Sequence, residues 1–192
     1  LYWMTSARRT TCNFALQRAI EWSTNLNKPL IVLEALRTGY DWASDRLHRF
    51  VLEGMADNKA AFGDKPVRYY PYVEVSHGAG SGLVDNLAAH ASVVVTDDFP
   101  CFFIPHMLKK TARRLPTLLE AVDSNGLLPM RAANSFFPTA YAFRRFLQRE
   151  LTPHLCELPA PDPFAGAKIP EPTHVDPSIL AKWPEATDEL LE

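Results

Sequence analysis

Two adjacent carboxylates, Asp97 and Asp98, closely follow the apolar run at residues 93–95. Neighbouring acids at the end of a buried strand can hold a metal ion or accept a hydrogen bond from a ligand hydroxyl. Such acids also serve as a helix cap or as solvated charges. Arg8 and Arg9 can bind an anionic ligand, pair with these acids or remain solvated. These residue types indicate a candidate binding site but do not select its ligand.

The loop after the first predicted strand, TSARRTTC at residues 5–12, contains no glycine. A dinucleotide-binding fold needs glycines there, because the backbone must approach the pyrophosphate closely. The sequence therefore disfavours NAD binding, and it contains no Walker A motif. A second loop, HGAGSGL at residues 77–83, has alternating glycines before a predicted helix, and its amides could hold a phosphate. An ordinary flexible surface turn is the favoured explanation of those glycines.

The histidines and cysteines give no further site. The six histidines do not cluster, and no nucleophile, histidine and acid stand at a recognisable spacing. Cys12, Cys101 and Cys156 are far apart and form no CxxC pair, so neither a zinc site nor a disulfide framework is expected. We therefore predict no catalytic residue and no metal site, and we expect a reducing cytoplasm.

Short apolar runs alternate with amphipathic stretches over the first 125 residues, which is typical of βαβ units. The strands are predicted at residues 1–4, 30–33, 66–73, 93–95 and 118–122. The helices are predicted after Thr10 or Thr11, after Asp41 or Ser44, and at residues 83–91, 104–115 and 141–151. In the second helix, Leu47, Phe50, Val51, Gly54 and Met55 share one predicted face. Connections of this length require right-handed crossovers. The sequence therefore predicts a doubly wound, Rossmann-like α/β fold with a five-stranded parallel sheet of order 3-2-1-4-5 and helices on both faces.

In such a sheet the ligand crevice lies beyond the carboxyl ends of the strands, where the winding reverses between strands one and four. Residues 4–7 follow strand one, residues 96–99 follow strand four, and residues 34–36 leave strand two next to them. The glycine loop at 77–83 follows an outer strand and is expected away from this point.

Composition and charge set the domain boundaries. The 192 residues are 47% hydrophobic with a formal net charge of -2, which excludes a disordered chain and a chain built entirely for nucleic acid. Residues 107–149 are basic and residues 150–192 acidic, so they form either a polyanion-binding surface with an acidic linker or two solvated surfaces. No apolar run reaches ~18 residues, so we predict no membrane span. We predict an α/β domain at 1–125, a loop and helix at 126–152, and an extended, proline-rich acidic linker at 153–192, whose residues 188–192 begin a helix.

Six segments in order carry a family resemblance: YWMTSARRTTCNFAL at 2–16, PLIVLEAL at 29–36, RLHRFVLEGM at 46–55, SVVVTDDFP at 92–100, EAVDSNGLLP at 120–129 and AYAFRRFLQREL at 140–151. Together they resemble the N-terminal domain of the DNA photolyase and cryptochrome superfamily, most closely the class II photolyases of cyclobutane dimers. Two features depart from that class: Cys12 stands where an acid often precedes the asparagine, and residues 129–139 lack the usual tryptophan.

The resemblance implies an antenna or scaffold domain. In many relatives this domain holds a pigment, such as a deazaflavin, a folate or a second flavin, that passes energy to FAD in a helical C-terminal domain. FAD then repairs a flipped pyrimidine dimer in damaged DNA. The implied partners are that FAD-binding domain of the same chain, which these residues lack, and damaged DNA. Without that FAD-binding domain, the chain is not expected to be catalytically competent. The implied pigment pocket is the crevice with one residue of the second helix added: Thr5, Ser6, Ala7, Glu34, Leu36, Arg46, Asp97, Asp98 and Phe99.

Two other classes of function stay open on the sequence. A freestanding nucleotide-binding domain of the same topology, similar to an ATP-pyrophosphatase, would need a phosphate-binding loop near strand one. A DNA-interaction module would use the basic residues 107–149, and its binding would weaken with salt.

Overall fold

A five-stranded parallel sheet forms the centre of the computed structural model, which describes residues 1–191. Its strands are β1 (Tyr2–Met4), β2 (Ile31–Leu36), β3 (Arg68–Val73), β4 (Val93–Asp97) and β5 (Leu118–Val122). Their order is β3-β2-β1-β4-β5, and all four pairings are parallel. The predicted fold class and strand order are therefore confirmed.

Helices cover both faces of the sheet. Helices α1 (Phe14–Leu26) and α2 (Asp45–Phe62) pack on one face, while α3 (Leu83–Ala89) and α4 (Ile104–Ala112) pack on the other. Side chains alternate along each strand. Tyr2, Val32 and Val95 are therefore buried on the α1–α2 face. Trp3, Leu33 and Val94 are buried on the α3–α4 face.

The start of α1 differs from the prediction of a cap at Thr10 or Thr11. Asn13 caps the helix, and its side-chain oxygen accepts a hydrogen bond from the Leu16 amide at 3.0 Å. Its side-chain nitrogen donates to the Tyr2 hydroxyl and to the carbonyls of Ala7 and Arg9. A threonine hydroxyl supplies one donor only. A fully buried asparagine can therefore cap the helix and hold the preceding loop together.

Only part of the predicted face of α2 is buried. Ser44 caps this helix as predicted, and Met55 is fully buried. Leu47 and Phe50 are 46% and 75% exposed, because the first turns of α2 extend beyond the sheet, whereas Val51 packs partly against the core. The buried residues of α2 are Met55, Asn58 and Phe62.

Two strands run further than predicted. β2 continues to Leu36 and β4 to Asp97, so Glu34, Leu36 and Asp97 belong to strands and not to the loops that follow. The direction of each side chain is therefore fixed by the alternation of its strand.

Beyond β5 the chain forms a 3-10 turn (Met130–Ala132), helix α5 (Ala140–Glu150), a second 3-10 turn (Thr152–Cys156), and the short helices α6 (Pro177–Lys182) and α7 (Asp188–Leu191). We call residues 157–191 the strap, because they run over both faces of the sheet. Phe164 joins the core on the α1–α2 face, and Val175, Ile179 and Trp183 join the core on the α3–α4 face. The predicted helix at 188–192 is present at Asp188–Leu191, and Glu192 lies outside the described residues.

The end of the strap covers the outer edge of the sheet. The Ala186 amide donates to the carbonyl of Pro71 at 2.9 Å, and Glu185 pairs with Arg68 on the same strand. Asp188 then pairs with Lys59 of α2 at 2.6 Å. An edge strand with free backbone groups invites pairing with other chains, so the strap protects β3. The role of this segment as a linker to a further domain stays a prediction.

Within residues 1–191, no helix combines the length and apolar character that a bilayer span requires.

Candidate functional site

A crevice of about 620 Å³ opens at the carboxyl ends of β1, β2 and β3. Most of its lining comes from the α3–α4 side of the sheet, the glycine turn at residues 77–82 and the loop after β2, while Val51 reaches it from α2. The residues that line it are largely apolar or aromatic, among them Trp3, Met4, Leu36, Tyr72, Leu83 and Phe103. A largely apolar cleft with a few polar groups is the usual form of a small-molecule site.

Helix α4 supplies one wall through a stripe of residues at helical spacing. Phe103, His106, Met107, Lys110 and Arg114 all line the crevice. Residues three and four apart fall on one face of a helix. The stripe runs from an aromatic group at the start of the helix to charged groups at its end.

The loop after β2 closes the mouth of the crevice. The Tyr40 and Phe103 rings are 6.3 Å apart between centroids, and the Arg37 guanidinium lies 5.4 Å from the centroid of Phe103. Gly39 approaches His77 so closely that a Cβ at this position would lie 1.6 Å from the imidazole Nδ1. A larger residue at 39 would therefore push the two loops apart.

The loop after β1 does not present free amides to this crevice, because Asp97 binds them. One carboxylate oxygen of Asp97 accepts hydrogen bonds from the amides of Thr5, Ser6 and Ala7 at 2.8, 2.8 and 3.1 Å. The other accepts from the Tyr2 hydroxyl at 2.8 Å. Burial, together with the charge of Asp97, raises the pKa of Tyr2 well above its ordinary value. Successive amides of this kind form an anion-binding nest. In this chain an internal carboxylate fills it.

Glu34 is a second fully buried carboxylate. It accepts hydrogen bonds from Arg8 at 3.0 Å, from the Asn58 amide at 2.9 Å and from the Tyr69 hydroxyl at 2.7 Å. Burial raises the pKa of Tyr69, and the Glu34 charge raises it further. Arg8 also donates to the carbonyl of Ala35 at 2.7 Å. We call Asp97, Glu34 and their donors the carboxylate network.

The two acids of the carboxylate network point away from the crevice, although two of their donor residues, Thr5 and Arg8, line it. Glu34 is two residues beyond Val32, and Asp97 is two residues beyond Val95, so both point to the α1–α2 face. Their partners Tyr2 and Tyr69 belong to the core of that face. The predicted acids therefore stabilise the sheet beside the site and do not line the crevice.

A third carboxylate fills the glycine turn. Glu74 accepts hydrogen bonds from the amides of Gly78 and Gly80 at 2.9 and 3.2 Å, and from the amide and hydroxyl of Thr38 at 2.9 and 3.2 Å. Burial alone would raise the pKa of Glu74, but these hydrogen bonds outweigh it and hold the pKa below its usual value. The turn was expected away from the switch point. It lines the same crevice as Thr5, because α3 brings it back over the sheet.

The remaining predicted site residues lie outside the crevice. Asp98 pairs with Arg131 at 3.0 Å, and Arg46 lies on the exposed first half of α2. Phe99 packs partly against the α3–α4 core and stacks on Phe102 at 6.5 Å. Of the nine predicted residues, the crevice brings together only Thr5 and Leu36. Contact of any of the nine with a pigment stays a prediction.

Sequence reasoning missed the residues that line most of the crevice, among them Arg37, Tyr40, Tyr72, Phe103, His106 and Lys110. The signal for the α4 residues was present in the spacing of Phe103, His106, Lys110 and Arg114. The loop residues Arg37 and Tyr40 gave no such signal, because loops have no periodicity to analyse.

Charge in the crevice is unevenly compensated. Asp85 of α3 forms a two-pronged pair with Arg114, which lies just beyond the end of α4, with both contacts at 3.1 Å. Glu74 is held by its four donors, as described above. Arg37 and Lys110 have no carboxylate partner in residues 1–191. Across the same described range, no group of three His, Cys, Asp or Glu side chains could hold a metal ion.

The fold and the crevice define a class of protein: a doubly wound α/β domain with an apolar ligand crevice beside its switch point. No protein-family model matches the sequence. A deoxyribodipyrimidine photo-lyase of Methanothermobacter thermautotrophicus is 28% identical to the chain over 134 residues. The matched region covers 70% of this chain and 29% of that protein. The similarity supports a relation to the photolyase family, and the chain corresponds to less than a third of this relative.

Proposed function

We propose that this chain is the N-terminal, pigment-binding domain of a photolyase-like flavoprotein, closest to class II, and that its pigment lies in the crevice between α3 and α4. The observation that carries the proposal is the crevice itself. Its size of about 620 Å³ falls within the roughly 300–1,000 Å³ of small-ligand pockets. Its aromatic lining suits a flat ring system.

The backbone amides that could bind a phosphate are already bound to carboxylates, which favours a pigment over a nucleotide as the ligand. A nucleotide-binding domain uses free backbone amides after its first strand to hold phosphate. Here Asp97 takes three amides of that loop, and Glu74 takes two amides of the glycine turn. A phosphate at either place would have to displace a carboxylate that is already fully hydrogen-bonded. This disfavours the alternative of an ATP-pyrophosphatase-like domain.

In the complete protein, the proposed role of the pigment is to absorb light and pass the energy to FAD in a C-terminal domain. FAD chemistry would then act on a pyrimidine dimer in DNA. The chain's own residues would bind and orient the pigment and exclude water from one side of it. None of the residues described above is assigned to the repair reaction.

The test is direct binding. The full chain is titrated with a deazaflavin, with FMN and with a reduced folate, and binding is followed by pigment fluorescence. We expect at least one pigment to bind with a shifted spectrum. Met107→Trp should abolish binding, because Met107 lines the space between α3 and α4.

Met107→Leu is the matched control, since it conserves volume and should leave binding unchanged. Circular dichroism of both variants checks the fold. If the wild-type chain binds no pigment, the domain is a scaffold and the proposal is wrong. If Met107→Trp binds as the wild type does, the pigment lies elsewhere.

A further inference from the structure

We infer that the crevice selects a planar ligand that carries a negative charge, and that Arg37 and Lys110 determine this selectivity. The inference rests on the proposed function, because it concerns the same crevice. It adds the charge of the ligand and the two residues that recognise it.

Both acids of the crevice already have hydrogen-bond partners. Glu74 accepts four hydrogen bonds from Thr38, Gly78 and Gly80, and Asp85 is paired with Arg114 through both of its oxygens. Arg114 compensates the charge of Asp85, while Glu74 keeps its charge but has no carboxylate oxygen left without a donor, so neither acid offers an open ligand to a cation.

Two cationic side chains of the crevice have no carboxylate partner in the described residues. Arg8 is taken by Glu34 and Arg114 by Asp85. Arg37 and Lys110 line the crevice, and neither is paired with a carboxylate in the described part of the chain. A cleft with low-dielectric walls and charges of one sign focuses its field on a ligand of the opposite sign.

The two positive charges lie apart along the wall that α4 forms. Arg37 lies over the Phe103 ring, and Lys110 follows Phe103 by seven residues along α4. Seven residues of helix span roughly 10 Å. Phe103 thus lies at one end of the wall, and Lys110 lies about two helical turns further along it. A three-ring chromophore stacked near Phe103 and Tyr40 would reach Lys110 with an acidic side group.

Riboflavin and FMN test the inference as a matched pair, since they share one ring system and differ by a single phosphate. Their affinities for the full chain are measured by fluorescence at low and high ionic strength. We expect FMN to bind roughly tenfold more tightly at low salt, because both cations lie within about a Debye length of the crevice. The preference should shrink at high salt.

Lys110→Gln should lower the affinity for FMN several-fold and that for riboflavin much less. Lys109→Gln is the control, because it removes the same charge from the neighbouring position, which does not line the crevice. Arg37→Gln should also reduce the preference, and Arg37→Lys should restore part of it.

The outcomes separate the inference from the proposed function. If both flavins bind equally to the wild type, the charge selectivity is wrong and the pigment pocket stands. If FMN is preferred but neither Arg37→Gln nor Lys110→Gln changes the preference, the two residues are wrongly assigned. If neither flavin binds, the inference and a pocket for a three-ring pigment both fail.

Discussion

The two faces of the sheet differ at their shared carboxyl edge. On the α1–α2 face, Asp97 and Glu34 are buried, and each accepts several hydrogen bonds. On the α3–α4 face, the same edge opens into the crevice, whose acids Glu74 and Asp85 already accept hydrogen bonds from the glycine turn and from Arg114. The chain thus uses one face to fix the loop after β1 and leaves the other face open at this edge.

A residue's proximity to the switch point does not by itself decide whether its side chain can contact a ligand. Thr96 and Asp97 are neighbours at the end of β4, yet they point to opposite faces. The Thr96 hydroxyl donates to the carbonyl of Trp3, while Asp97 binds the loop.

The largest effect is expected for Asp97→Ala, which removes the carboxylate that occupies the amide nest after β1. The substitution leaves the amides of Thr5, Ser6 and Ala7 without their acceptor in a largely buried site. We expect a loss of about 3–5 kcal/mol in the free energy of unfolding, because buried groups lose their charged partner. Urea denaturation measures this loss.

Asp98→Ala is the control for this substitution. Asp98 is adjacent, carries the same charge and pairs with an exposed Arg131. Exposed ion pairs contribute less than about 1 kcal/mol. Equal losses at 97 and 98 would contradict the structural role assigned to Asp97.

A smaller effect, which depends on pH, is expected for Glu74→Gln. The hydrogen bonds to Glu74 lower its pKa in the folded state below the usual 4.5. Its contribution to stability is therefore complete above the unfolded pKa and is lost as the pH falls through the folded pKa. We expect Glu74→Gln to cost about 1–2 kcal/mol at neutral pH and progressively less as the pH falls below 4.5.

Unfolding at several pH values measures this difference between the variant and the wild type. Glu53→Gln, an exposed change on α2, controls for the loss of a charge. A deficit that stays constant with pH would show that the Glu74 charge does not hold the glycine turn.

The sequence predicted the sheet order and the helices on both faces, because these follow from apolar periodicity and chain connectivity. It placed the crevice between the ends of β1 and β4, whereas the crevice is lined by residues at the ends of β1, β2 and β3. It did not predict the face on which Glu34 and Asp97 point, because that depends on β2 and β4 continuing through residues 36 and 97. It also placed Leu47 and Phe50 on the apolar face of α2, although the first turns of that helix extend beyond the sheet.

The strap shows the same limit of sequence-based prediction. The chain has eight prolines between residues 153 and 184, seven of them in the strap, and these prolines with the lack of periodicity predict an extended segment. Trp183 is nevertheless 2% exposed, and its indole nitrogen donates to the carbonyl of Ala79 at 2.9 Å. Such anchors are single residues whose burial depends on what lies beneath them, and no pattern in the sequence marks them.

An added anion should partly replace the Asp97 carboxylate in the amide nest of Asp97→Ala. In Asp97→Ala the missing group has the size of formate. We expect formate to restore about 1 kcal/mol of stability at concentrations above its dissociation constant, because three amides still point at the vacated position. Sodium chloride at equal ionic strength should restore less, and the wild type should respond equally to both salts. Equal effects of the two salts on Asp97→Ala would argue that the amides do not form an anion site.

The smallest effect is expected for the pair of Asp85 and Arg114, which is the exposed counterpart of the buried Asp97. A double-mutant cycle of Asp85→Asn and Arg114→Gln isolates their interaction from other effects of each change. We expect a coupling of about 0.5–1 kcal/mol at low salt, because the contact is two-pronged but open to solvent. The coupling should fall at high salt, where exposed charges are screened. A coupling as large as the loss in Asp97→Ala, and insensitive to salt, would mean that the α3–α4 face is as closed to solvent as the α1–α2 face. The crevice between α3 and α4 would then not admit a ligand without local unfolding.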